Sequence, residues 1–587
     1  MQYDPFTALY EYYQTMLKRG DNPNITPYGW TYRPVSHEVI IGLDGELVDI
    51  RRVGHKKKES EKWENAEYLL PVQPVRSGTN PPPAFLADSP AYVCGKYMVG
   101  YRSKWESLAA LVPECKELRA VLKFYERYTS SELMANPKVQ ECLAASSSGS
   151  LVFRIANGRA IHEIPEVVNA VNTQINQALD GQPRCICRLS GEEDAICRIW
   201  HPWRDIKDSG SFGLLPTYYM AESSQRYGYQ QGENALVGVH SEWAVWQAWK
   251  SLSKNAVFLG DTTYVYWADD GSTPNCIASL FRAIQQGGGY VSDSEDGDPN
   301  CYVLGVQKAG TRGLRVVVFL YAKLSVFERN IKMVGELAEL MGIEDEWRLI
   351  DIIHALNEYR NPNDTVRRFD EGKIRHYWGA ELLDMVCTGR KITETWLSDV
   401  MTKYLQLVRK GYSCNYGSMR WLSVLLAYGL CKMGKEQTED WSKTMNEVID
   451  DKMAVYKDNP YWLLGRLIAC VERMQECAVY GPKGSNKGNI YRRILPRAIH
   501  NPMEAFQTVG NWYESKYYQT GIRRCGGLAG VVHKEYQTVM DKMGGLLDTR
   551  KPSSMDKACL LLGFRSQMTA FFRSRGKEGT DDVKTDE

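Results

Sequence analysis

The chain has 587 residues, 24% of them charged, with 72 Lys+Arg against 71 Asp+Glu. That length predicts about four domain-sized units, and the composition is that of a globular protein able to bury several cores without staples. No apolar run is long enough to span a bilayer, and the opening MQYDPFTALYEYYQTML has no basic segment followed by an apolar stretch, so neither a membrane anchor nor a secretory signal is expected. Fifteen cysteines, an odd number without framework spacing, point to free thiols in a reducing cytoplasm.

The near-neutral total hides an asymmetry. Between Asn489 and Arg575 there are 14 Lys+Arg and 6 Asp+Glu, a balance of +8, whereas the rest of the chain, 58 against 65, stands at −7. A basic module on a mildly acidic body predicts contact with a polyanion; the simpler alternative is a solvated basic helical bundle.

In chain order, apolar residues at helical spacing predict a helix over 4–18. Asp44-Gly45 between two apolar runs predicts a hairpin over 39–50. The stretch HKKKESEKWE (55–64) reads as a charged loop, and Pro81-Pro82-Pro83 as another. Further strands are expected at 151–155, 264–268, 301–306 and 314–320, with helices at 104–128, 162–179 and 241–252 and a loop, SDSEDGDPN, at 292–300. From about Ser325 the pattern is helical nearly throughout, with helices at 393–408, 419–432, 461–478, 502–518 and 555–572. The expected class is α+β: a mixed N-terminal half with antiparallel strands and helices, then an all-helical C-terminal half ending in a small helical bundle. The expected domains are 1–325, mixed, for duplex and motif recognition; 326–473, helical; 474–575, a basic bundle for strand binding; and 576–587, a disordered tail.

Catalytic and cofactor signatures are missing. GPKGSNKGN (481–489) lacks the order of a phosphate-cradling loop, His162-Glu163 is not followed by a second ligand histidine, and the acidic loop at 293–298 lacks calcium-loop spacing. Cys185, Cys187, Cys197 and His201 are of the types zinc prefers, but a one-residue spacer is tight and no second pair follows; buried cysteines on a hairpin around Gly191 are the simpler expectation. His201 and Asp205 lack a nucleophile or paired carboxylates nearby. The expectation is a non-enzyme without cofactor or metal.

Several strings nevertheless have a common resemblance. RYGYQQGENALV (226–237) and GDTTYVYWA (260–268), with Thr26-Pro-Tyr-Gly-Trp30, Arg76-Ser-Gly78, Ala84-Phe-Leu-Ala-Asp88, Tyr92, Gly95, Cys187-Arg-Leu-Ser-Gly-Glu192, His201-Pro202, Tyr302-Val-Leu-Gly305, LLDMVCTGR (382–390), RLIACVERMQECA (466–478) and Leu562-Gly-Phe564, resemble in order the large subunit of the subtype I-C CRISPR Cascade complex, the Cas-eight-c family. The resemblance runs from about residue 26 to 575. It departs at SGSFGLLPTYYM (209–220), which is more apolar than the small polar run of the family and ends in Met220 where an Asn is expected, and at the triple proline.

The resemblance implies a non-catalytic subunit of an RNA-guided antiviral complex. It would recognise a short motif in double-stranded target DNA, hold the displaced single strand, contact guide RNA indirectly through backbone and guide-end subunits, and help recruit a helicase–nuclease; base pairing would read the target itself, as in other RNA-guided effectors. Arg76, Ser77 and Asn80, flanking the family-like turn, and Lys56, Lys57 and Lys58 are the duplex candidates: Arg suits guanine edges, Asn adenine, and the lysines phosphate or solvent. Gln230, Gln231 and Asn234 either donate to DNA or cap a turn around Gly232. For the displaced strand the basic module offers Arg492, Arg493, Arg497, Lys516, Arg523, Arg524, Lys534, Arg565, Arg573 and Arg575, with Tyr491, Trp512, Tyr517 and Tyr518 as stacking or core aromatics. Relatives are thought to make a separate small subunit from an internal start; Met474 is the candidate here, with Met503 a second. The competing readings are a free-standing DNA-processing nuclease and a helical interaction protein.

Overall fold

The computed structural model describes residues 4–56, 63–74, 81–145, 149–206, 222–273, 277–278, 298–309, 313–343, 349–356, 376–412, 416–433, 453–481 and 490–578, apart from the single positions 21, 23, 260, 546, 548 and 549. The fold is α+β. Two compact units divide it: Met1–Asp205 with Gly210–Lys254 and Gly310–Leu314, and Ile206–Ser209 with Asn255–Ala309 and Arg315–Glu587.

The first unit opens with α1 (Pro5–Arg19), started by the Asp4 carboxylate accepting from Phe6 N and Thr7 N and ended at Gly20 in the left-handed region. Strand β1 (Trp30–Ile41) is the centre of a five-stranded sheet. It pairs antiparallel with β2 (Leu47–Arg52) across the Asp44-Gly45 turn, where Gly45 has φ 83°. A small antiparallel ladder follows, β3 (His55–Lys56) on β4 (Trp63–Glu64), so the ends of the expected charged loop are paired. Then β5 (Ala66–Pro71) joins the other half of β1, and β6 (Ala87–Asp88) borders β7 (Ser150–Ile155), which runs parallel to β1 with Val39 opposite Phe153.

One face of this sheet is apolar and covered by helices. The helix expected over 104–128 is two, α2 (Met98–Leu111) and α3 (Lys116–Arg127), because Pro113 interrupts the backbone ladder. Trp105 and Phe124 stand edge-on to Phe153, with centroids 5.6 and 5.3 Å away, and α4 (Pro165–Gln177) adds Val167 and Val171 to the same core. Strands β8 (Arg184–Ile186) and β9 (Glu193–Ala195) form the hairpin around Gly191, and α5 (Val239–Leu252) closes the unit.

The second unit begins with a four-stranded sheet ordered β10 (Val257–Leu259), β11 (Thr262–Ala268), β12 (Asn300–Ala309), β13 (Gly313–Lys323). Its Tyr264, Ala268, Cys301, Val303, Val318 and Leu320 share a core with the helices that follow. This corrects the expected boundary at 325: the sheet folds with the helices because that face is buried by them, and the division falls near 254. The helices are α6 (Leu324–Leu340), α7 (Leu349–Leu356), α8 (His376–Thr388), α9 (Glu394–Lys410), α10 (Gly417–Met433), α11 (Pro460–Tyr480), α12 (Ile490–Ala498), α13 (Pro502–Trp512), α14 (Tyr518–Met543) and α15 (Ser554–Glu578). The expected boundary at 473 falls inside α11, a continuous helix in which Leu463 to Met474 are buried apart from Arg466, Glu472 and Arg473 included. The last helix runs to Glu578, past the expected end at 575.

Candidate nucleic-acid interface

Arg33, buried on β1, clamps a loop at both ends. Its Nη1 donates to the Pro71 carbonyl at 3.2 Å, and its Nη2 to the Ala87 carbonyl at 3.3 Å and to Ser150 Oγ at 3.1 Å. Buried Asp88 fixes the returning end by accepting from Ala84 N and Ser89 N at 2.8 and 2.7 Å, and Tyr92 donates to the Pro81 carbonyl. Between these anchors lie Arg76, Ser77 and Asn80, which are outside the described residues. The family-like strings at 84–88 and Tyr92 thus hold the loop ends, a role the sequence alone did not reveal.

The neighbouring ribbon carries Lys56, exposed and opposite Trp63; Arg52 lies 5.6 Å from the Trp63 ring centre. Lys57 and Lys58 continue into residues outside the description. Behind the strands, β1 buries Glu38, which accepts from Arg51 at 2.5 Å, Arg154 at 2.9 Å and Tyr68 Oη at 3.0 Å. Burial pushes this carboxyl up, but the three donors outweigh it and hold it below the usual carboxylate range.

The string 26–30 is a packing element. Thr26 receives Tyr13 Oη at 3.0 Å, Trp243 Nε1 at 3.1 Å and Gln247 Nε2 at 2.8 Å, tying α1 and α5 to the start of β1. The turn at 230–235 is closed by Glu233, whose carboxylate accepts from Gln230 N at 2.8 Å, and by Gly232 at φ 91°. Gln230 is exposed, and Gln231 and Asn234 are half-buried. The less polar run at 209–220 is outside the described residues.

Cys187 and Cys197 are buried on the Gly191 hairpin and Cys185 is half-buried. Burial pushes the Cys197 thiol well up. For Cys187 burial acts upward too, but donors around it, first the Gly238 N–H and the Ser241 hydroxyl, bring the thiol below its ordinary value. His201 turns to Glu242, with Nδ1 2.7 Å from Oε2, and stacks on Trp246 at 4.4 Å. Among the described residues no group of three or more His, Cys, Asp and Glu is placed to hold a metal.

In the basic module the ten expected cations separate by partner. Arg492 Nη2 donates to the Gly411 carbonyl at the end of α9, at 3.0 Å. Arg524 Nη1 donates to the carbonyls of Ala478 and Val479 at the end of α11, at 2.7 and 2.9 Å. Arg565 is buried, and its Nη2 donates to the Met341 carbonyl just past α6, at 2.7 Å. These three satisfy orphan carbonyls at the negative ends of helix dipoles. Arg565 therefore faces no strand, which corrects its place in the expected set. Arg573 and Arg575 lie on α15 with side chains outside the description.

Arg493, Arg497, Lys516, Arg523 and Lys534 are exposed. Arg493 and Lys516 lie 5.1 and 5.7 Å from the ring centre of half-buried Trp512, and Arg497 follows Arg493 by one helical turn. Lys516 belongs to a π-helical turn, Tyr513–Tyr517, between α13 and α14, a backbone irregularity that recurs at functional sites. Of the aromatics, Tyr491 is core, its Oη donating to the Tyr412 carbonyl at 3.0 Å; Tyr517 and Tyr518 are half-buried against the same core. Buried Glu472 accepts from Tyr491 N at 2.9 Å, and burial raises its carboxyl to about 8. Met474 is buried mid-helix in α11. No described helix is long and apolar enough to cross a membrane.

A family model described as CRISPR-associated protein (Cas_Csd1) matches residues 9–572. No curated protein matches the chain.

Proposed function

Since the chain belongs to this family of CRISPR-associated proteins, we propose that it is the non-catalytic large subunit of a cytoplasmic, subtype I-C Cascade complex, binding double-stranded target DNA and the displaced strand. The observation that carries the reading is the meeting of Arg493 and Lys516 at Trp512 beside a π-helical turn, with exposed Arg497 one helical turn from Arg493. Exposed cations that need not cap or pair within the protein are available to phosphates, and a surface of this kind tracks a strand without reading sequence.

Motif recognition is assigned to the loop clamped by Arg33, with Arg76 and Asn80 as base readers, Ser77 beside them, and Lys56, Lys57 and Lys58 as phosphate contacts. Gln230, Gln231 and Asn234 are assigned a supporting role at the DNA surface. The partners are the backbone and guide-end subunits, through them the guide RNA, and a helicase–nuclease. Initiation at Met474 would give a small subunit retaining α12 to α15 but only Met474–Tyr480 of α11; Met503, the second residue of α13, is the alternative start and would omit α12 with Arg493 and Arg497.

The experiment is binding of the purified chain to labelled duplexes and single strands over a salt series. Log affinity should fall with log salt at about −0.9 per phosphate contacted in a duplex. Asn80→Ala should cost about 1–3 kcal/mol on the preferred motif only; equal weakening on every sequence would make Asn80 a phosphate contact. Cleavage of DNA with a divalent metal, abolished by a point substitution in this chain, would overturn the non-catalytic assignment.

A further inference from the structure

A second aromatic feature lies in the first unit and involves none of the residues named above for stacking. Tyr227 and Tyr229 are 76% and 43% exposed, and their rings lie near-parallel with centroids 5.7 Å apart. Two large rings stacked on each other in water serve no core. They leave apolar area exposed that folding ordinarily removes, which marks surfaces built for a partner.

The turn that presents them is held firmly. Gly228 N donates to the Gln225 carbonyl at 3.0 Å. Gly232 passes so close to the β9 segment that a Cβ there would meet the Cys197 carbonyl at 2.7 Å and Arg198 Cα at 3.1 Å. Further along, Arg188 N donates to the Leu236 carbonyl at 3.0 Å and Cys197 N to the Val237 carbonyl at 2.9 Å, so the segment is fastened to both arms of the Gly191 hairpin. Rings displayed on a pinned turn lose little freedom when they bind.

The segment on which this turn is seated carries arginines. Arg188, Arg198 and Arg204 are exposed and make no side-chain ion pair or hydrogen bond among the described residues, while Arg226, next to Tyr227, pairs with exposed Glu222 at 2.7 Å. Arg198 is the residue the turn touches at Gly232. Exposed stacked rings on a turn seated against a segment whose arginines form no ion pair among the described residues offer the chemistry that an unstacked base and its phosphates need.

We propose that Tyr227 and Tyr229 form a stacking site for unstacked nucleobases of a nucleic-acid strand, with Arg188 and Arg198 contacting its phosphates. The proposal rests on the nucleic-acid reading above and adds to it a site in the other unit.

The test uses the full chain and three labelled probes: oligodeoxythymidylate, the corresponding RNA, and a blunt DNA duplex, each titrated by anisotropy over a salt series. Y227A/Y229A should weaken binding to the single-stranded DNA by about 5- to 150-fold, the range of alanine substitution at one stacked base. Y227F/Y229F should stay within about 2-fold, since the rings remain. The salt slope should not change in either, whereas R188A/R198A should flatten it by about 1.4. A loss on RNA equal to that on DNA assigns the site to single strands generally; a loss on the duplex alone overturns the unstacked-base proposal.

Unchanged affinity of Y227A/Y229A for all three probes, with an unchanged melting temperature, would also overturn it, including where that variant instead loses a protein partner of the assembly. R493A/K516A in the same series separates the two claims. If that variant weakens binding and the tyrosine variant does not, nucleic-acid binding stands and this site fails. If the wild-type chain binds none of the probes, both fail.

Discussion

The two units use arginine in different ways. In the first, Arg33, Arg51 and Arg154 serve β-structure: one holds the ends of a loop, and two neutralise a carboxylate buried behind the sheet. In the second, arginines terminate helices, and Arg493, which does not, lies with Lys516 at Trp512. Arg492 and Arg493 are adjacent in sequence yet have opposite fates. The difference teaches that a count of cations overstates a binding surface in a helical region, because helix C-termini consume part of it.

That contrast can be broken or sharpened by substitution. The largest effect is expected at Glu38. Removing it with Glu38→Ala strands Arg154 against the sheet and should destabilise the first unit by about 3–5 kcal/mol, read as an earlier first transition in denaturant; a single unshifted transition would show that the network does not hold the sheet.

Arg565→Ala should come next. It leaves the Met341 carbonyl without its donor, at a cost of about 1–3 kcal/mol, with no effect on the salt dependence of DNA binding. If instead the protein melted normally and bound DNA less tightly, Arg565 would belong to the interface after all.

Glu472 gives a pH-dependent effect. Its carboxyl is raised to about 8 in the folded chain, above the ordinary unfolded value, so the folded state holds the proton over a window in which the unfolded state has lost it. Stability from this group is therefore fully present below about pH 4.5 and declines as pH rises towards 8, by at most about 1.4 kcal/mol per pH unit. Glu472→Gln should flatten this decline in a series of melting temperatures. The smallest effect on stability is expected for Arg493→Ala, within about 0.5 kcal/mol as for other exposed surface positions, while its effect on strand binding should be plain.

Local signals in the chain were legible where one residue decides the backbone. Asp44-Gly45 marked the β1–β2 turn, the apolar spacing marked α1, and the helical second half was plain. What escaped were decisions made at long range. Residues 257–323 read as part of a mixed N-terminal domain, but their apolar face is buried by helices that follow them. Pro113 was passed over within an otherwise continuous helical pattern.

The candidate site was legible to a similar degree. Residue type and local charge put Arg493, Arg497 and Lys516, which are exposed, in one set with Arg565, which is buried and whose acceptor lies on Met341, in a distant part of the sequence. Trp512 as the meeting point of two cations depends on the packing of α12 against α13, which spacing alone does not encode. The family-like strings at 26–30 and 84–88, which carry the resemblance, are anchors of the fold, through Thr26 and Asp88.

The most direct test of the account is the salt dependence of single-strand binding in two variants of equal charge loss. R493A/K516A removes cations that meet at Trp512; R492A/R524A removes cations that cap helices. The first should melt as the wild type does and flatten the salt slope by about 0.7 for each phosphate it no longer neutralises. The second should lower the melting temperature and leave the slope unchanged. The reverse pattern, with the capping pair setting the slope and the Trp512 pair setting only stability, would contradict the assignment of the strand-binding surface.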